Sequence, residues 1–90
     1  MPAWKLITNH GAVLALISKT QHITARDLAT LIGITERSVL RILGDLESDG
    51  YIERTREGRT NKYSISRRLQ LRHDFARDVA VSDFLALFEE

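Results

Sequence analysis

Apolar residues recur every three or four positions in three stretches of the first half of the chain, and this spacing predicts three amphipathic helices. The first covers about residues 9–20, the second follows Thr24 and ends at Gly33, and the third runs from about Glu36 to Ser48. Thr24 begins a run that resembles a capping box, and glycine is common just past a helix end. The residues expected to line the core are Val13, Leu14, Leu16, Ile17, Leu28, Leu31, Ile32, Val39, Leu43 and Leu46.

The polarity pattern changes to alternation after the third helix, and it predicts a β-hairpin. The two runs cover residues 51–55 and 61–66, and the polar stretch between them has Gly58 at its centre. Ile23, in the link between the first two helices, is a candidate for a third strand. The predicted fold class is therefore α+β: a three-helix bundle, a hairpin of two or three strands and a short C-terminal helix.

The last part of the chain is less regular. We assign residues 1–66 to the main domain and residues 67–90 to a C-terminal loop and helix, with Ser82 and Asp83 resembling a helix cap. This tail either covers the core of its own chain or joins two chains, because the apolar residues at both ends exceed what three short helices need to bury. The candidates for a dimer interface are Trp4, Leu6, Phe84, Leu85 and Phe88.

Composition narrows the class of protein. Ninety residues make one domain, and the 43% hydrophobic and 28% charged residues are ordinary for a globular protein. The absence of cysteine excludes disulfides, thiol redox sensing and cysteine-ligated zinc. The chain has no apolar run near the roughly 20 residues that span a bilayer, and its first residues do not resemble a secretory leader. We therefore expect a cytoplasmic protein with no membrane segment and no cofactor.

The net charge of +1 indicates no partner, but the distribution of charge does. Residues 54–68 hold six basic side chains and one acidic side chain, whereas residues 69–90 hold two basic and five acidic ones. A local basic stretch suits a polyanion that contacts one part of the surface. A solvated hairpin with exposed arginines explains the same charges equally well.

The second and third predicted helices, joined by Gly33 and Ile34, have the length and turn chemistry of a helix-turn-helix. In that motif the N-terminal residues of the second helix face base edges in the major groove of DNA. Arginine can donate two hydrogen bonds to guanine, glutamate can accept from cytosine, and hydroxyls at a helix N-terminus suit phosphate. The candidates in the third helix are Thr35, Glu36, Arg37, Ser38 and Arg41.

The helix by itself leaves two interpretations open, because Arg41 and Asp45 lie four residues apart and could form a surface ion pair of little consequence. The basic hairpin favours DNA binding, since a hairpin in this position is the wing that lies along the backbone or minor groove. Arg59 at the tip is the natural groove probe. The residues expected to contact phosphate are Arg54, Arg56, Asn61 and Lys62.

Residues 34–65, ITERSVLRILGDLESDGYIERTREGRTNKYSI, resemble the helix-turn-helix and wing of MarR-like winged-helix regulators. Residues 6–14 and 71–87 resemble the two ends of a group of short, single-domain prokaryotic members. The resemblance implies base-facing roles for Arg37, Ser38 and Arg41, a wing tip at Arg59, and a homodimer on a palindromic site. The long helices that build the usual dimer and its ligand pocket are absent or truncated here, so the resemblance leaves the effector unknown.

Three other interpretations compete. An enzyme is disfavoured, because the sequence has no phosphate loop, no cysteine nucleophile and no motif that suggests a catalytic triad. A metal sensor is disfavoured, because His10, His22 and His73 lack the local spacing of metal ligands, although the fold could bring them together. The alternative function is a winged-helix protein-docking module that does not bind DNA. This alternative stays open because the third helix also carries the acidic residues Glu36 and Asp45.

Overall fold

The computed structural model describes residues 7–20, 22–67, 69 and 79–88. Within these residues, three helices precede an antiparallel hairpin and one short helix follows it, which confirms the predicted architecture. The elements are α1 (Asn9–Lys19), α2 (Ala25–Ile32), α3 (Glu36–Ser48), β1 (Ile52–Glu57), β2 (Thr60–Ile65) and α4 (Val81–Ala86).

Threonine hydroxyls fix where each helix of the bundle begins. Thr8, Thr24 and Thr35 have extended backbone, and each hydroxyl accepts a hydrogen bond from the amide three residues later over 3.0 to 3.2 Å. A cap of this kind stabilises a helix by about 1 kcal/mol. Gly33 ends α2 with a φ of 85°, a conformation that other residues adopt only under strain. The turn between α2 and α3 is therefore set by local chemistry.

The buried face of α2 differs from the predicted one. Leu28 is fully buried and Ile32 packs against the core, but Leu31 is 64% exposed, so its assignment to the buried stripe is wrong. The helix turns Ala29 inward in its place. At 100° per residue, Leu31 lies about 100° from the centre of the face formed by the other three, and the neighbouring helices do not cover it.

The core lies where the three helices of the bundle meet, with the base of the hairpin and α4 closing it. Leu85 and Val81 of α4 are both 0% exposed, so this helix covers the core of its own chain. The N-cap of this helix is Ala80, two residues before the cap predicted at Ser82, and the Asp83 carboxylate accepts from the Ala80 N–H at 3.1 Å. The fully buried side chains are Val13, Ile17, Leu28, Val39, Leu43, Val81 and Leu85.

The described part of the sheet has two strands, in a register that pairs Ile52 with Ile65 and Glu57 with Thr60. The strands extend further toward the tip than predicted, and Gly58, with a φ of 61°, begins the two-residue turn between them. Such turns need a positive φ at the first residue or at both. Ile23 does not add a third strand, since it is buried in the core between α1 and α2.

None of the helices in the described ranges has the length and apolarity needed to cross a lipid bilayer.

Candidate nucleic-acid interface

The outward face of α3 carries two arginines, a leucine and a glycine in mutual contact range. Val39, Ile42, Leu43 and Leu46 are buried, which turns the opposite side of the helix to solvent. Arg37, Leu40, Arg41 and Gly44 are exposed and are related by steps of three or four residues, so they are neighbours on the helix surface. We call these four residues the outward patch.

Asp45 is paired with a residue outside α3, so the ion pair that the sequence offered for Arg41 is not formed. The His10 Nε2 atom lies 2.9 Å from Asp45 Oδ2, with both side chains about half exposed. No described residue forms an ion pair with Arg37 or Arg41. The expected alternative, an Arg41–Asp45 pair, is therefore not the arrangement adopted, and both guanidinium groups are available to an external acceptor.

The N-terminus of α3 is partly occupied by its own side chains. The Thr35 hydroxyl accepts from the Ser38 amide at 3.1 Å and donates to the Ser38 hydroxyl at 2.9 Å. Glu36 lies 3.9 Å from the Arg26 guanidinium, a long contact between two well-exposed groups. The structure thus places Thr35, Glu36 and Ser38 at the start of α3, where the Thr35 hydroxyl already caps the helix.

Two of the basic residues of the wing are bonded within the chain. Arg54 Nη2 donates to Glu47 Oε1 at 3.0 Å, and this pair joins β1 to the last turn of α3. Arg54 faces Tyr63 across the hairpin and therefore lies on the face that packs on the core. Arg56 Nε donates to the Gly58 carbonyl at 3.1 Å and braces the tip. The contact of Arg54 and Arg56 with phosphate stays a prediction, to which the structure adds a role inside the fold.

The remaining basic side chains of the wing, Arg59 and Lys62, differ from Arg54 and Arg56 in their contacts. Arg59 lies in the exposed turn, and Lys62 and Asn61 follow on β2 with partly buried side chains. Within the described ranges neither Arg59 nor Lys62 has an ion pair. The acidic residue of the tip, Glu57, is held by His22 at 3.2 Å, on the side of the link between α1 and α2.

Both described histidines therefore pair with carboxylates of the two elements that carry the candidate DNA contacts. Nowhere in the described ranges do three or more histidine, aspartate or glutamate side chains form a group that could hold a metal ion. His73, the third histidine considered as a metal ligand, lies outside the described residues.

The candidates for a dimer interface separate into three groups. Trp4 and Leu6 lie outside the described residues. Leu85 is buried in the core of its own chain, so its assignment to an interface is corrected: its side chain cannot reach a second copy. Phe84 and Phe88 are partly buried and contact each other edge to face, with ring centroids 5.3 Å apart.

Sequence reasoning missed one exposed residue of the interface and the partners of two acids. Leu40, which is not among the base contacts predicted from the sequence, is 55% exposed beside Arg41. A helical projection of α3 carries the signal for it, because Leu40 falls well outside the face centred on Val39 and Leu43. The contacts of His10 and His22 each span 35 residues along the chain, and no local pattern indicates them.

Comparison with known proteins places this geometry in context. A family model described as winged helix-turn-helix DNA-binding matches residues 8–53. The structure of FabT from Streptococcus pneumoniae in complex with DNA is 25% identical, with a TM-score of 0.59 over 72% of this chain and 48% of FabT. MepR, a transcription regulator of the Staphylococcus aureus multidrug efflux pump MepA, is 19% identical, with a TM-score of 0.62 over 94% of this chain and 59% of MepR. Both are MarR-family regulators, which confirms the predicted resemblance at the level of the fold.

A curated relative shares sequence but differs in overall size. Riboflavin kinase from Thermococcus kodakarensis is 38% identical over 63 residues, which are 70% of this chain and 28% of the kinase. The chain thus spans about a quarter of the length of this relative and about half of the length of FabT.

Proposed function

Because this chain belongs to the winged helix-turn-helix DNA-binding family, we propose that it is a sequence-specific regulator of transcription that binds double-stranded DNA. In this proposal α3 enters the major groove, and the wing lies along the adjacent backbone or minor groove. Arg37 and Arg41 contact base edges, and Arg59 and Lys62 contact phosphate or the minor groove. The protein acts in the cytoplasm by binding DNA and not by catalysis.

The observation that supports this proposal is that the arginines on α3 and at the wing tip are exposed and have no ion pair among the described residues. Arg37, Arg41 and Arg59 are exposed and lack ion pairs among the described residues, while the neighbouring acids Asp45 and Glu57 are held by histidines. A guanidinium group without an internal partner can donate two hydrogen bonds to guanine or to a phosphate. An arrangement that served only solubility would have little reason to keep each acid away from the nearest arginine.

The proposal is tested by fluorescence anisotropy with a labelled mixed-sequence duplex of about 30 base pairs, titrated at low and at physiological salt. Each phosphate contact releases counterions, so the expected result is an affinity that falls steeply as salt rises. Selection from a random pool then identifies a preferred site. If no duplex binds even at low salt, the proposal is wrong and the protein-docking module becomes the better account.

We further propose that two copies bind a two-fold symmetric site, with recognition helices about 34 Å apart. The support is an apolar groove of about 390 Å³, whose lining includes Ile7, Leu16, Leu31 and Phe88. Leu31 and the neighbour of Phe88, Leu87, are 64% and 79% exposed, and an interface with a second copy would bury them.

The mass in solution tests this assembly by light scattering coupled to gel filtration. A dimer is expected for the unmodified chain, and Leu87→Glu is expected to shift it toward the monomer because a carboxylate would enter an apolar interface. A monomer for both proteins, at every concentration that supports DNA binding, would disprove the dimer and leave the DNA-binding proposal intact.

A further inference from the structure

Leu40 is an exposed leucine beside Arg37 and Arg41 on α3. Its side chain is 55% exposed, although α3 buries four other apolar residues in the core. Leu31 and Leu87 are also exposed, but neither lies on α3, where Arg37 and Arg41 have no ion pair among the described residues. Exposed apolar surface next to unpaired arginines suits a polyanion that also presents apolar groups.

Gly44 gives an independent observation at the next turn of the helix. A Cβ atom built at this position meets no atom within 4 Å, so nothing in the described part of the chain requires glycine here. Glycine in a helix interior is less favourable than alanine, because it loses more backbone freedom on folding. A glycine without an internal reason, on the exposed face and adjacent to Leu40, fits a surface that another molecule approaches closely.

We propose that Leu40 is a specificity-determining residue that contacts the 5-methyl group of a thymine in the major groove. The inference rests on the proposed DNA-binding function and names one base, thymine, that the protein would recognise. Thymine is the base that presents a methyl group in the major groove, and apolar side chains recognise it by contact. Gly44 leaves room beside Leu40 for the edge of the DNA to approach the backbone of α3.

The first experiment compares the sites selected by the unmodified protein and by Leu40→Ala from the same pool of random 30-base-pair duplexes. The expected result is a thymine preference at one position of each half-site that the variant loses. Because Leu40 is exposed, the variant should keep its melting temperature. Leu69→Ala is the control, since it removes an exposed leucine that lies outside α3 and outside the proposed dimer interface, and it should keep the preference.

The second experiment removes only the methyl group, by replacing that single thymine with deoxyuridine. For the unmodified protein the affinity is expected to fall about four-fold, the effect of exposing one buried methyl group. For Leu40→Ala the same replacement should have almost no effect, because the contact is already absent. An equal loss for both proteins, or an unchanged site preference for the variant, overturns the proposal.

Gly44→Ala is expected to change stability and DNA affinity in opposite directions. The variant is expected to melt several degrees higher, because alanine favours the helix, and to bind the selected duplex several-fold more weakly. Higher stability with unchanged affinity overturns the role of Gly44. Failure of the unmodified protein to bind any duplex is a different result, which rejects DNA binding itself and leaves Leu40 as a contact for another protein.

Discussion

Helix α3 and the wing both expose arginines, but they are held in place by different forces. Burial positions α3, because four of its side chains are 6% exposed or less, and Arg37 and Arg41 on the opposite face have no ion pair among the described residues. The wing has one buried residue on each strand, Ile52 and Tyr63, and both are remote from its tip. Polar contacts position the rest of it: Arg54 with Glu47, and Arg56 with the Gly58 carbonyl.

Because of this difference, a basic residue serves a different purpose in the two regions. On α3, an arginine that projects outward is available for DNA, because the apolar face already fixes the helix. On the wing, an arginine can be required for shape, and only those beyond the braced part remain free. Counting basic residues therefore overestimates the cations that the wing leaves unbonded, whereas on α3 both arginines lack an ion pair among the described residues.

The largest effect is expected from removing the burial that holds α3. Leu43→Ala, at a site 2% exposed, should lower the free energy of unfolding by about 2–5 kcal/mol, since the side chain leaves a cavity in the core. Arg54→Ala should cost at most about 1 kcal/mol, because its pair with Glu47 is partly exposed to solvent. Urea denaturation of the two variants measures both values, and equal losses would remove the contrast between burial and polar contacts.

The second effect concerns base recognition by the outward patch. Arg41→Ala, or Arg37→Ala, should weaken binding to the preferred site by about 1–3 kcal/mol and relax the preference at one base pair. Anisotropy titrations with the preferred duplex and with single-base variants measure this change. A loss of equal size for every duplex would instead assign the arginine to the backbone.

The third effect separates the two kinds of basic residue in the wing. Arg59→Ala should weaken binding by a similar factor for all sequences and lower the salt slope by about 1, as the loss of one phosphate contact does. Arg54→Ala serves as the matched control and should leave the slope unchanged, because that arginine is paired inside the chain. The same decrease in slope for both variants would show that the internal pair opens on binding.

The smallest effect comes from the acid next to Arg41. His10→Ala should release Asp45 to pair with Arg41 one turn away, and affinity for the preferred duplex should fall by up to about two-fold. His10→Ala combined with Asp45→Asn should recover that loss, because the released carboxylate is gone. A loss that persists in the double variant would mean that His10 supports the fold and does not keep Arg41 available.

Local chemistry made much of the fold predictable. The bounds of α3 agree with the sequence prediction, because a threonine cap and a glycine after the last turn specify both ends of the helix. The hairpin was predictable for the same reason, since alternation and Gly58 are short-range signals. The outward position of Arg37 and Arg41 also followed from the helical period once the buried face of α3 was known.

Features that depend on packing between distant segments were not predictable. The exposure of Leu31 depends on how α1 and α3 flank a helix of eight residues, and the burial of Ile23 depends on the same bundle. The assignment of Asp45 to His10, and not to Arg41, requires the N-terminal turn of α1 to lie beside α3. The local pattern offers Arg41 as the partner of this carboxylate, and tertiary structure supplies His10 instead.

The attachment of α4 has a consequence for how such a chain can change in evolution. The Val81 amide donates to the Leu69 carbonyl at 2.6 Å, and the Ser82 amide donates to the Arg67 carbonyl at 2.9 Å. These two bonds join residues that are more than ten positions apart in the chain. They fix the start of α4 against the segment that follows the hairpin. Because lengthening a loop adds little to the entropy of closing it, we expect insertions between Leu69 and Val81 to leave the other helices and the wing unchanged as long as these two bonds form.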